Sequence, residues 1–138
     1  RALQRGDYDI KGLTISKSQH EFASKRVGKN AIIALEDYRH QEGLYEQIVS
    51  IEMFEAVGEK FWPVYFSKLK TLLVDKGKAI VQTITIADTY FERYRRGGDA
   101  IRSFIFPGGM LPCPLRFQEE SLKAGLRVTD KFNFGQDY

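Results

Sequence analysis

Residues 78–86 read KAIVQTITI, with six of nine positions β-branched. So continuous a run does not suit a strand with one wet face. It predicts a strand buried on both sides, as the central strands of parallel sheets are. Just upstream, from Pro63 to Val74, Phe66, Leu69, Leu72 and Leu73 recur at helical spacing. Pro63 suits the first turn of that helix, and Gly77 lies shortly beyond its end. Further back, QIVSI (47–51), AIIAL (31–35) and DIKGLT (9–14) are strand candidates. Ser16 with Gln19 forms the S-x-x-Q box that starts a helix, which runs to Val27 and ends at Gly28. Strands alternating with helices predict an α/β fold with a mostly parallel sheet and flanking helices.

Composition narrows the function classes. The chain has 138 residues, one cysteine, and a net charge of +3 from 21 basic and 18 acidic side chains. That suits one globular domain. It excludes a dense nucleic-acid neutraliser, so no nucleic-acid partner is expected. Cys113 alone cannot build a disulfide framework, and it sits between prolines without a histidine nearby, so it reads as structural. His20 and His40 give no zinc spacing, and no metal is expected. No apolar run approaches the length of a membrane span, and no signal peptide is visible. The expectation is a cytoplasmic protein, with the inner membrane face as its possible working surface.

In parallel sheets, ligands bind beyond the carboxyl ends of the strands. Three polar clusters stand there: Thr14 to Gln19, Asp37 to Arg39, and Glu52 with Glu55. The first can hydrogen-bond a ribose or adenine, or simply cap a helix. The two glutamates flank Met53 and Phe54, where a carboxylate can gain proton affinity and act in catalysis, or remain a solvated loop acid. No G-x-G-x-x-G fingerprint is present. From about 88 to 113 runs an insertion that interleaves Tyr90, Phe91, Tyr94, Phe104 and Phe106 with Arg93, Arg95, Arg96 and Arg102. It reads as a lid helix packing its aromatics on the core, as a surface for anionic lipid headgroups, or as a stack for bases.

The segments GLTISKSQ (12–19), LEDYR (35–39), IVSIEMFEAVG (48–58), VQTITI (81–86), IFPGGMLP (105–112) and NFGQDY (133–138) occur in this order. Together they resemble the cyclopropane-fatty-acyl-phospholipid synthase family of S-adenosylmethionine-dependent methyltransferases. The resemblance implies a partial Rossmann-like methyltransferase domain over 1–138. The family carries a strand and glycine-rich loop before the position of Arg1, and a further strand after that of Tyr138. RALQRGDYDI accordingly reads as the tail of a helix, with Gly6 past its end. Missing a central strand beside those ending at Thr14 and Ile51, the chain is expected to self-associate through unpaired edges.

By the same resemblance, Thr14, Ile15 and Gln19 contact the ribose and adenine of S-adenosylmethionine. Tyr38, with Asp37 or Arg39, borders the adenine, and Ile51 lines that pocket. Glu55 matches a glutamate that helps hold a bicarbonate ion, and Tyr138 an active-site tyrosine. The implied substrate is an unsaturated phospholipid at the membrane surface. Its alkene attacks the sulfonium methyl, an aromatic face steadies the cation, and a positioned base removes a proton to close the ring. Two positions depart from the family pattern. Gln82 stands for a usual histidine and can donate a hydrogen bond but carry no charge. Ala56 replaces the histidine after the glutamate. Loss of a different proton would give a methylated or methylene product, so methyl transfer is better founded than the ring. Competing readings are a methyltransferase for a small soluble acceptor and a non-catalytic lipid- or RNA-binding module.

Overall fold

A computed structural model describes residues 6, 8–97 and 108–135. The chain divides into two compact units, 1–42 and 43–138.

In the first unit, β1 (Lys11–Thr14) pairs in parallel with β2 (Ile32–Leu35), and α1 (Lys17–Val27) connects them. Ser16 caps α1 as predicted, its hydroxyl accepting from the Gln19 N–H at 3.4 Å. The capping box is otherwise incomplete. Gln19 does not reach back to Ser16, because its side-chain oxygen accepts from the Thr14 hydroxyl at 2.8 Å. Thr14 in turn accepts from the Ser16 N–H at 3.1 Å. Gly28 ends α1 with φ +60, a left-handed conformation glycine adopts at little cost. His20 Nε2 bonds the Ile33 carbonyl at 3.1 Å, a structural duty for a histidine that gave no metal spacing.

The second unit pairs β3 (Tyr45–Ile51) in parallel with β4 (Leu73–Gln82). Between them come a short α2 (Phe54–Val57) and then α3 (Trp62–Leu72), with Pro63 in its first turn. Regular pairing begins at Gln47 with Lys78, as the sequence suggests, but β4 itself starts at Leu73, opposite Tyr45. Residues 74–77 bulge out of the ladder, with Lys76 left-handed at φ 62. The ladder ends at Gln82 rather than Ile86.

The expectation of a strand covered on both sides does not hold. β4 is not buried on both faces: Ile80 is 63% exposed, and its partner Val49 is 59% exposed. Residues 49, 51 and 80 share one face of this two-stranded sheet, open among the described residues, while Ser50 faces the other way and is buried. Hydrogen bonding between strands stops at β1 and at β3 among the described residues, giving two separate two-stranded sheets.

The core belongs to α3. Trp62, Tyr65, Phe66, Leu69 and Leu72 are buried at helical spacing. Phe54 is fully buried among them, its ring 4.9 Å from Tyr65, 5.3 Å from Trp62 and Phe66, and 5.2 Å from Phe117. Phe117 comes from α5 (Pro114–Lys123). Edge and tilted contacts of this kind add to simple area burial.

The insertion opens with α4 (Asp88–Arg96). Phe91 is buried, with its ring 6.3 Å from Trp62, and the Tyr94 hydroxyl accepts from the Leu111 N–H at 3.3 Å. Arg95 pairs with Glu59 at 2.8 Å, and Arg93 lies over the Tyr90 ring. These contacts fit a helix packing its aromatics on the core. Arg102, Phe104 and Phe106 lie outside the described residues, as does Tyr138. Cys113 is buried, and burial pushes its thiol pKa up, in line with a structural role.

Candidate active site

The carboxyl ends of β1 and β2 gather the first set of residues. The Thr14 hydroxyl and Gln19 amide are bonded to each other there, and Ile15 beside them is 78% exposed. Past β2, Asp37 caps a 3-10 turn (Tyr38–His40), accepting from the Arg39 N–H at 2.9 Å. The Arg39 guanidinium grips the same carboxylate through Nε at 3.0 and 3.1 Å and through Nη2 at 2.7 Å. That side-chain bond is the main reason the Asp37 carboxyl is held down at about 2. Asp37 and Arg39 are thus engaged with each other. Tyr38, between them, is half-buried, and burial pushes its phenol up. Hydroxyl and amide groups suit a ribose, and a half-buried ring suits a purine.

The second unit supplies the other set. Ile51 closes β3 and is 61% exposed. Immediately after it, Glu52 adopts φ 49, in the left-handed region that a side chain with a Cβ rarely enters. Its backbone N–H donates to the Gln82 carbonyl at 3.0 Å, and its Oε1 accepts from Gln82 Nε2 at 3.1 Å. One turn on, Glu55 Oε1 accepts from the backbone N–H of Ile84 at 2.8 Å. Glu55 Oε2 is buried with no hydrogen-bond partner among the described residues. A buried carboxylate oxygen left so is costly, which marks it as an acceptor awaiting a donor. An ion such as bicarbonate, with its one O–H, fits that need.

Two distant motifs meet at this glutamate. The Glu55 carbonyl accepts from Met110 N–H at 2.8 Å, and the Ile86 N–H donates to the Pro112 carbonyl at 3.0 Å. Gly58 has φ +78, and a Cβ on it would collide with the Gly108 carbonyl oxygen. The glycine ending IVSIEMFEAVG thus lets that motif approach the backbone of IFPGGMLP, where Gly108 itself takes a left-handed φ of +83. Sequence reading brought out Glu55 and Gln82. It did not foresee the backbone amide of Ile84 or the left-handed turn at Glu52, since neither depends on a recognisable side-chain pattern.

A parallel α/β arrangement with polar groups at its strand ends defines the class: a partial Rossmann-like domain. The solved cyclopropane synthase MmaA2 from Mycobacterium tuberculosis superposes with a TM-score of 0.80 at 24% identity, over 94% of this chain and 50% of that one. Mycolic acid cyclopropane synthase CmaA1, crystallised with SAH and CTAB, gives 0.76 at 26% identity over the same shares. The family profile of mycolic acid cyclopropane synthetase matches residues 1–138, and the chain belongs to that family. Tuberculostearic acid methyltransferase of Mycobacterium tuberculosis is 35% identical across all of this chain and 34% of its own length. Cyclopropane-fatty-acyl-phospholipid synthase of Escherichia coli is 34% identical over 96% of this chain and 34% of its own. The chain thus spans about a third of these curated relatives.

Proposed function

We propose that the protein carrying this segment is an S-adenosylmethionine-dependent methyltransferase acting on the double bond of unsaturated phospholipid acyl chains. The single observation that carries the reading is Glu55, with one oxygen fixed by the Ile84 amide and the other buried and awaiting a donor. When bound, the cofactor supplies an electrophilic methyl group. Thr14, Ile15 and Gln19, with Tyr38, hold its adenosine side, while Asp37 and Arg39 fix the turn that presents Tyr38. Glu55 and Gln82 hold a small anion, bicarbonate in this reading, that receives the proton lost from the methylated chain. Tyr138 offers its ring to the developing positive charge.

The 35% identical relative is named as a methyltransferase rather than a cyclopropane synthase. Gln82, an amide that cannot carry charge, supports that outcome, and we place methyl transfer ahead of ring closure. The lipid is met at a membrane surface from the cytoplasmic side. Among the described residues no helix is long and apolar enough to cross a membrane. The strand edges at β1 and β3 are proposed to pair with a strand from elsewhere, in the same protein or in a second copy.

Transfer of radiolabelled methyl from S-adenosylmethionine to phospholipid vesicles tests the reading. Label is expected in vesicles with monounsaturated chains and absent from fully saturated ones. Equal labelling of both, or labelling of a small soluble acceptor alone, would overturn it.

A further inference from the structure

The acidic residue at position 52 is unexplained by the scheme above, and three observations converge on it. Glu52 sits at φ 49, where glycine or asparagine would be cheaper. Such strain persists where a side chain has a task that outweighs it. The turn also clamps the ends of β3 and β4 twice, backbone to backbone and side chain to side chain, both times between Glu52 and Gln82. Finally, a glutamine amide rotates softly about its last bond, and its two ends differ in kind: one donates, the other accepts. A carboxylate oxygen accepts, so Glu52 determines which end of the Gln82 amide turns toward it.

We propose that Glu52 is a positioning residue for Gln82, using its left-handed turn to hold the amide in one orientation beside the anion site of Glu55. The proposal rests on the methyltransferase reading. It adds that the glutamine at this position works as a pair with the glutamate ending β3, and that the pair sets the hydrogen-bonding face shown to the proton-accepting ion.

The test is methyl transfer to monounsaturated phospholipid vesicles by the enzyme carrying this segment, with thermal unfolding of each variant. Glu52→Gly removes the acceptor but suits the left-handed backbone. It should raise or preserve the melting temperature while lowering kcat about tenfold, roughly the worth of one hydrogen bond to a charged group. KM should stay within about twofold. Glu52→Gln keeps an accepting oxygen and should recover most of the loss. Glu52→Asn tolerates the same backbone but is one carbon shorter, and it should behave like Glu52→Gly if that variant fails to fold. In a Gln82→Ala background, Glu52→Gly should cost nothing further. An unchanged kcat in Glu52→Gly, or an equal loss with and without Gln82, would overturn the proposal. Glu55→Gln run alongside separates the two levels: if it too is fully active, the methyltransferase reading of this site fails as well.

Discussion

The two units of the chain are held together by different means. Among the described residues of 1–42, no apolar side chain is buried, and Ile32 and Phe22 are 62% and 66% exposed. What shapes that unit is the parallel β1–β2 pairing with a set of polar bonds: Thr14 to Gln19, Ser16 to Gln19, Asp37 to Arg39, and His20 to the Ile33 carbonyl. In 43–138 an aromatic cluster around Phe54 fixes the frame, and glycines let two motifs touch backbone to backbone. The polar groups differ in the same way. Asp37 and Arg39 in the first unit are engaged with each other, whereas Glu55 in the second has a buried oxygen with no hydrogen-bond partner among the described residues. Local bonds suffice to present groups for binding.

The largest break in this comparison should come from Phe54→Ala. Removing a fully buried ring with four aromatic neighbours should cost about 3–5 kcal/mol in urea melts. An equal loss from Phe22→Ala, on the exposed side of α1, would erase the contrast between the units. Gly58→Ala should follow, at about 1–3 kcal/mol, because the left-handed turn and the Gly108 carbonyl both resist a Cβ. Thr14→Val should cost about 1 kcal/mol of stability, since it removes one donor and one acceptor at the start of α1. It should also weaken S-adenosylmethionine binding, measured by calorimetry, with little change in turnover at saturation.

Smallest is the acid response of Asp37. Its folded pKa of about 2 lies below the ordinary 3.8. The pair with Arg39 therefore contributes in full above about pH 4, and its contribution is lost as pH falls toward 2. Arg39 is exposed, so the effect is small. Comparing wild type with Asp37→Asn across this range should show a difference that fades by pH 2. A difference that persists unchanged there would place the stabilisation elsewhere.

Much of this was legible in the sequence because it depends on near neighbours. Ser16 and Gly28 bracket α1, and Pro63 opens α3, each by local chemistry. The open face of β4 was not legible. A β-branched run reports that a strand could be covered on both sides, not what covers it, and Ile80 is exposed. The strand read from Lys78 in fact starts at Leu73, and a bulge carries Asp75 and Lys76 within β4. At the site, Glu55 and Gln82 were recognisable by motif. The Ile84 amide, the meeting of Gly58 with Gly108 and the turn at Glu52 depend on backbone geometry between distant segments, which no side-chain spacing announces.

Glu55, in the unit 43–138, holds the proton-accepting site in this account, and cofactor affinity does not depend on it. One paired measurement tests it most directly: S-adenosylmethionine affinity by calorimetry and methyl transfer to unsaturated phospholipid, both on Glu55→Gln in the enzyme carrying this segment. Affinity should stay within about twofold, and turnover should fall on the order of 10²–10⁴. Full turnover in Glu55→Gln would contradict the account and leave this carboxylate a structural tie to Ile84.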